Sequence, residues 1–162
     1  MSRIARAITV LAVLGLTPLA LAHCEIPCGI YDDQTRIVLL REDIATIEKS
    51  MRSIQEIGAQ AKPEWNQLVR WTVNKEDHAN KIQDIASQYF LTQRVKAPAA
   101  GDAEAQQKYV TQLTLLHKLL VVAMKMKQTT DLAFVADARK VVDDFAASYF
   151  TPEDLKHLQE HK

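Results

Sequence analysis

The sequence predicts an all-α protein, a four-helix bundle preceded by an N-terminal metal-binding hook. Only 4 glycines and 5 prolines occur in 162 residues, a composition that favours helices. Apolar residues recur at steps of three and four along four long stretches, which is the period of an amphipathic helix. Both cysteines, Cys24 and Cys28, precede the first stretch. We call residues 23–31 the cysteine segment.

The charge balance excludes one broad class of function. Lys and Arg together number 20, and Asp and Glu together also number 20, so there is no basic field to hold nucleic acid. No Ser-His-Asp arrangement and no phosphate-binding loop stands out in the sequence.

Residues 1–22 have the three parts of a cleavable signal peptide. Arg3 and Arg6 make the start positive, an apolar run follows, and residues 20–22 form an A-x-A cleavage site. We expect cleavage there, so that His23 becomes the first residue of an exported, periplasmic or secreted protein.

Three alternatives to this export signal exist. The segment could be a membrane anchor, but its apolar run is short. It could be a lipoprotein signal cleaved before Cys24, or the protein could stay cytoplasmic. Residues 23–162 are expected to form one domain without contact with a membrane.

The first two helices are predicted over about 35–57 and 64–90. Gly58 and Pro63 end the first, and a loop is expected over 91–101. The inward stripe of the first helix is Ile37, Leu40, Ile44, Ile47, Met51, Ile54 and Ile57. That of the second is Trp65, Leu68, Trp71 or Thr72, Ile82, Ile85 and Tyr89. Residues 74–80 are polar, so this part is either exposed or faces something polar.

The third and fourth helices are predicted over about 103–128 and 131–149. Asp102 can cap the third, which should be the most buried. Its stripe is Tyr109, Leu113, Leu116, Leu120, Ala123 and Met124. The stripe of the fourth is Leu132, Val135, Val141 or Val142, Phe145 and Tyr149. Thr151 followed by Pro152 predicts the start of a short terminal helix.

One internal echo links residues 85–90 and 145–150, since both end in Tyr-Phe. It could record a duplicated helix pair. We favour the simpler interpretation, in which two helices end on aromatic residues that fill a core.

The cysteine segment offers an unusual set of metal ligands. A mature chain starting at His23 has a free α-amine, an imidazole, the Cys24 amide nitrogen, and the thiolates of Cys24 and Cys28. Planar ligation by nitrogen and sulfur suits Ni(II) or Cu(II), whereas zinc prefers a tetrahedron. The alternative is a Cys24–Cys28 disulfide without any metal; the position of the cleavage site favours metal.

The pattern His-Cys-x-x-Pro-Cys-Gly-x-Tyr over residues 23–31 resembles the nickel-hook motif of nickel superoxide dismutases. The resemblance implies a four-helix bundle that assembles as a homohexamer. It also implies a nickel ion that converts superoxide into dioxygen and hydrogen peroxide. His23 would supply the amine and an axial imidazole, Cys24 an amide nitrogen and a thiolate, and Cys28 a second thiolate. Tyr31 would stand over the open face, so Tyr31 and His23 are the predicted catalytic residues.

The sequence departs from that family around the axial imidazole. There a Glu of the first helix and an Arg of the second orient it, and alignment places Val38 and His78 at these positions. Glu42 could substitute for the Glu, and His78 is either a partner of the imidazole or an exposed helix histidine. Tyr89 matches a family tyrosine expected near Tyr31.

Superoxide is an anion, so a local positive potential would speed its arrival. Lys75, Lys81 or an arginine of a neighbouring subunit could supply it. Two other functions remain open from the sequence: a secreted metal-free binding protein with a Cys24–Cys28 disulfide, and a protein that traffics nickel or copper.

Overall fold

The computed structural model describes residues 33–152 and 154–156, so the leader and the cysteine segment lie outside the described residues. Four long helices are present, and the described part of the chain contains no strand. They are α1 (Asp33–Gly58), α2 (Trp65–Asp84), α3 (Ala103–Gln128) and α4 (Ala133–Tyr149), with a π-helical segment (Ile85–Arg94) that continues α2. The predicted all-α four-helix bundle is confirmed.

The helices pack in a closed ring. Each helix contacts the next one in the chain, and α4 returns to contact α1. The apolar stripe predicted for α1 faces the centre, because its first five members are fully buried and Ile54 and Ile57 are half-buried at the end. Among the described residues, no helix has the length and apolarity needed to cross a membrane.

The end of the second helix differs from the prediction. The helical chain does not stop at Phe90 but widens into the π-helical segment and runs to Arg94. The Val95 amide donates to the Phe90 carbonyl at 2.9 Å, and the Thr92 hydroxyl donates to the Ser87 carbonyl at 2.8 Å. These bonds span five residues and satisfy the carbonyls that the wider turn frees. Arg94 is therefore helical, and the predicted loop begins only at Val95.

Two residues predicted to face the core are exposed. Trp65 is 68% exposed, and Val69 and Val73 on the same face of α2 are exposed as well. The first buried residue of α2 is Lys75, so the two N-terminal turns of this helix add no side chain to the core. Met124 is 42% exposed, because α3 is turned so that its buried stripe is Leu116, Leu119, Ala123 and Met126.

The polar stretch 74–80 faces polar partners. Lys75 is only 3% exposed, and its ammonium group donates to the Met126 carbonyl at 2.9 Å and also to the Lys127 carbonyl. These carbonyls belong to the last turn of α3, where a positive charge is favourable. Lys75 is thus a cap for α3 and does not line the cavity described below, unlike Lys81.

The terminal helix begins as predicted. The Thr151 hydroxyl donates to the Asp154 carboxylate at 2.9 Å, and the Asp154 amide donates back to that hydroxyl oxygen at 3.3 Å. This reciprocal pairing starts a helix, and residues 152 and 154–156 are helical.

A carboxylate cluster and a polar cavity at the start of the first helix

The predicted ligands lie just before the described chain. His23, Cys24, Cys28 and Tyr31 are outside the described residues, which begin at Asp33. A chain spans at most about 3.6 Å per residue, so the Cα atom of Tyr31 lies within about 7 Å of that of Asp33. Asp33 is the described residue that follows the cysteine segment most closely in sequence.

The carboxylate of Asp33 is the centre of a polar cluster. The Tyr89 hydroxyl donates to its Oδ1 atom. The Tyr149 hydroxyl donates to its Oδ2 atom at 2.8 Å. Arg94 adds two bonds to Oδ2, from Nε at 3.1 Å and from Nη2 at 2.7 Å. Three elements of the fold thus meet at the first residue of α1.

The cluster keeps its charges and protons fixed at neutral pH. Burial acts to raise the pKa of Asp33, but the hydrogen bonds from Arg94, Tyr89 and Tyr149 outweigh it, and the pKa falls below its usual 3.8. Burial and the bond to this carboxylate raise the pKa of Tyr89 to about 12, and they do the same for Tyr149. Asp33 is therefore ionised, and both phenols are protonated donors.

Aromatic rings pack against the two tyrosines of the cluster. Phe90 meets Phe145 edge-on at 4.8 Å and Tyr149 at 5.5 Å, measured between ring centroids. Tyr89 meets Phe90 edge-on at 5.2 Å. The Tyr-Phe echo in the sequence therefore has a structural reason: both pairs enter one aromatic core, and both tyrosines donate to Asp33. This agrees with the simpler interpretation of the echo.

A cavity of about 760 Å³ lies beside this cluster, between α1 and α2 with its π-helical continuation. Its walls are formed by Arg36, Leu39, Glu42, Asp43, Thr46, His78, Lys81, Asp84, Ile85, Gln88 and Tyr89. Tyr89 belongs to both the cluster and the cavity, and the Arg36 guanidinium lies over its ring at 4.7 Å. The cavity wall therefore mixes cationic and anionic groups close to the start of α1.

A histidine–carboxylate pair stands in the cavity wall. His78 Nδ1 lies 2.6 Å from Asp43 Oδ1, and Asp43 is 6% exposed. Burial raises the pKa of Asp43, and its contact with His78 lowers it, with burial the stronger effect. His78 is half-buried, so the alternative of an exposed helix histidine is wrong.

The other residues singled out at these positions fall differently. Glu42 and His78 are the two candidate partners of the axial imidazole, and they line the same cavity. Val38 packs against the apolar core and not in the cavity wall. Tyr89 is fully buried and donates to Asp33; its predicted approach to Tyr31 falls outside the described residues.

Sequence reasoning missed Asp43 and Arg94. Asp43 stands three positions after Leu40 and next to Ile44, so a carboxylate within the apolar stripe of α1 was an available signal. Arg94 lies in the stretch 91–101 that the sequence predicts as a loop, so it gave no signal of a role.

The described residues hold no group of three or more His, Cys, Asp or Glu side chains that could bind a metal ion.

The chain was compared with known proteins and families. The model of the nickel-containing superoxide dismutase family matches residues 18–152, a range that includes the cysteine segment. Searches of curated proteins and of solved structures found no match. The family match covers well over half of the sequence and agrees with the helical fold. The chain belongs to the nickel-containing superoxide dismutase family.

Proposed function

We propose that the nickel of this superoxide dismutase is bound by the first residues of a mature chain that begins at His23. The α-amine and imidazole of His23, the amide nitrogen and thiolate of Cys24, and the thiolate of Cys28 would be its ligands. Tyr31 would stand over the open face and limit access to it. Pro27 and Gly29 would shape the turn between the two cysteines.

Three observations support this set of ligands. The family uses nickel, and nickel accepts nitrogen and thiolate ligands in a planar arrangement. Cys24 and Cys28 are the only two cysteines of the chain. The described residues offer no alternative cluster of metal-binding side chains. The chemistry of the cysteine segment therefore fits the metal, and this agreement carries the proposal.

The reaction is the one implied by the family. Two superoxide ions and two protons give one dioxygen and one hydrogen peroxide. Nickel held by His23, Cys24 and Cys28 would supply the one-electron redox chemistry that this exchange between two superoxide ions needs. The remaining tasks belong to the protein: it holds the metal, limits access to it, and supplies protons. Family membership favours this function over a metal-free binding protein and over a metal-trafficking protein.

His78 is proposed to orient the imidazole of His23. The bond from Nδ1 to Asp43 leaves Nε2 of His78 as the nitrogen available to a partner. The pair lines the cavity about 15 Å along α1 from Asp33, and the ten residues from His23 to Asp33 are long enough to span that distance. Glu42 is the competing choice, because it lines the same cavity.

Arg36 and Lys81 are proposed to favour the approach of superoxide. Both line the cavity, whose wall also carries the carboxylates of Glu42, Asp43 and Asp84, so the positive potential is local to these two side chains. Positive groups in a cleft raise the local concentration of a small anion. This role replaces the one considered for Lys75, whose charge is engaged at the end of α3.

Export and a homohexameric assembly complete the proposal. Residues 1–22 have the pattern of a cleavable signal peptide. Trp65, Val69 and Val73 form an exposed apolar stripe on α2, a surface that contact with a second copy of the chain would remove from water. The native mass of the purified protein and its N-terminal residue test both points.

The decisive experiment adds one alanine before His23. The extension converts the α-amine into an amide and moves the new amine out of the chelate, so dismutase activity should fall to background. The matched control adds one alanine after Lys162. Cys24→Ser and Cys28→Ser should each lose nickel when the metal is measured by elemental analysis. Full activity in the N-terminally extended protein would show that the proposed ligand set is wrong.

A further inference from the structure

We propose that Asp33 is a positioning residue for the nickel site: its carboxylate fixes the point at which the cysteine segment leaves the bundle. The inference rests on the proposed ligand set, and it adds a residue that the family motif does not contain. Asp33 lies two residues after Tyr31, outside the pattern of residues 23–31.

Asp33 joins three elements of the fold. It is the first residue of α1. Arg94 and Tyr89 belong to the π-helical segment, and Tyr149 is the last residue of α4. One carboxylate therefore ties the start of α1 to two other elements at once.

The Asp33 carboxylate is held firmly in place. It accepts hydrogen bonds from two phenols and from two nitrogens of one guanidinium. The Asp33 side chain is only 14% exposed, against 34% for that of Arg94. Charge-assisted bonds with this degree of shielding are stronger and more directional than surface ion pairs.

The proposed nickel ligands lie a few residues upstream of Asp33 in the sequence. Cys28 is five residues before Asp33, and His23 is ten. A short chain that starts from a fixed point can reach only a limited region. The cavity begins beside that point, where Tyr89 contacts Asp33 and also lines the cavity wall, and it extends to His78 and Asp43, about 15 Å further along α1. Misplacing a reacting group by about 1 Å can lower a rate by about a hundredfold. Fixing the start of α1 is thus a direct way to place the ligands.

The test uses two variants and one matched control in the nickel-loaded mature protein. Asp33→Asn keeps the size of the side chain and loses the charge that holds Arg94. Tyr149→Phe removes one hydroxyl and keeps the ring that packs on Phe145 and Phe90. Asp143→Asn is the control, because it breaks the exposed Arg41–Asp143 ion pair, which joins the same two helices, α1 and α4.

We expect Asp33→Asn to lower kcat/KM by about ten- to a hundredfold and to change the electron paramagnetic resonance spectrum of the oxidised nickel. In the metal-free protein, the amides of residues 36–40 should exchange hydrogen faster. Tyr149→Phe should change all three properties in the same direction by less, and Asp143→Asn should match the unaltered protein. If Asp33→Asn does not fold, Tyr149→Phe carries the test by the same criteria.

Two results would overturn the inference. One is a folded Asp33→Asn protein in which all three properties are unchanged. The other is faster amide exchange with an unchanged spectrum and unchanged kcat/KM, which would make Asp33 a purely structural residue. Failure of the proposed ligand set gives a different result: Cys24→Ser and Cys28→Ser would keep their nickel, whatever Asp33→Asn does to amide exchange.

Discussion

His78 on α2 and Asp43 on α1 form a hydrogen bond of 2.6 Å across the wall of the cavity. A carboxylate accepts, so the Nδ1 atom of His78 donates, and Nε2 is the ring nitrogen left for a second partner. Metal-site histidines are commonly oriented by such a carboxylate partner. His78 has the same kind of carboxylate partner. We propose, however, that it contacts the ligand His23 and does not bind the metal itself.

Asp43→Asn tests this arrangement. The amide keeps the volume of the side chain but removes the negative charge that holds the proton on Nδ1 of His78. Dismutase activity should fall by about ten- to a hundredfold, the usual effect of losing the partner of a metal-site group. Activity and nickel content of the purified protein are the measurements.

Glu42→Gln is the matched comparison, because Glu42 is the neighbouring carboxylate in the same cavity. Its activity should stay close to that of the unaltered protein. The reverse pattern, with Glu42→Gln impaired and Asp43→Asn normal, would make Glu42 the carboxylate that matters.

Lys75→Met should destabilise the bundle. The substitution keeps an apolar stem but removes the ammonium that donates to the Met126 and Lys127 carbonyls in the last turn of α3. Hydrogen bonds that involve a charged group contribute about 1.5–3 kcal/mol to stability. The free energy of unfolding should therefore fall by about that amount. Urea unfolding followed by circular dichroism measures it.

Lys140→Met is the control for that experiment. Its side chain is 74% exposed and pairs with Asp144 one helical turn away, so the loss should be at most about 0.5 kcal/mol. Equal losses in the two variants would show that Lys75 does not act as a cap.

The helices were predictable because their stripes are strongly periodic. In α1 the apolar residues recur at every third or fourth position, and burial in the bundle follows that pattern. Trp65 has the same spacing to its neighbours but is exposed. Periodicity identifies a face of a helix, but it cannot tell whether another element reaches far enough to cover that face.

The site was only partly predictable for a related reason. Helical spacing within α1 and α2 places Glu42 and His78, respectively, in the wall of one cavity. Asp33 and Arg94 meet only because the π-helical segment replaces the expected loop. A π-helical turn depends on hydrogen bonds that span five residues, and no residue pattern in this sequence predicts them.

Phe90→Ala should be among the most damaging core substitutions. Phe90 is fully buried and contacts the rings of Tyr89, Phe145 and Tyr149. Removing a ring of this kind from a core costs about 3–5 kcal/mol. Thermal and urea unfolding should show the loss.

Phe134→Ala is the comparison for Phe90→Ala, since Phe134 is half-buried and lies beneath the Lys125 ammonium at 5.1 Å. Its loss should be clearly smaller. A loss as large as that of Phe90→Ala would mean that the aromatic cluster around Phe90 is not the centre of the core.

The contribution of Asp33 to stability should disappear in acid. Its folded pKa lies below the usual 3.8, so folding favours the ionised carboxylate. The stabilisation is therefore complete above the unfolded pKa and is lost as the pH falls through the folded pKa. The difference in free energy of unfolding between the unaltered protein and Asp33→Asn should be constant from about pH 7 to about pH 5 and shrink below about pH 4.

Urea unfolding of the metal-free proteins at each pH measures this difference, with Asp143→Asn as the variant that loses only an exposed ion pair. A difference that grew as the pH fell would mean that burial, and not the bonds from Arg94, Tyr89 and Tyr149, determines the pKa of Asp33.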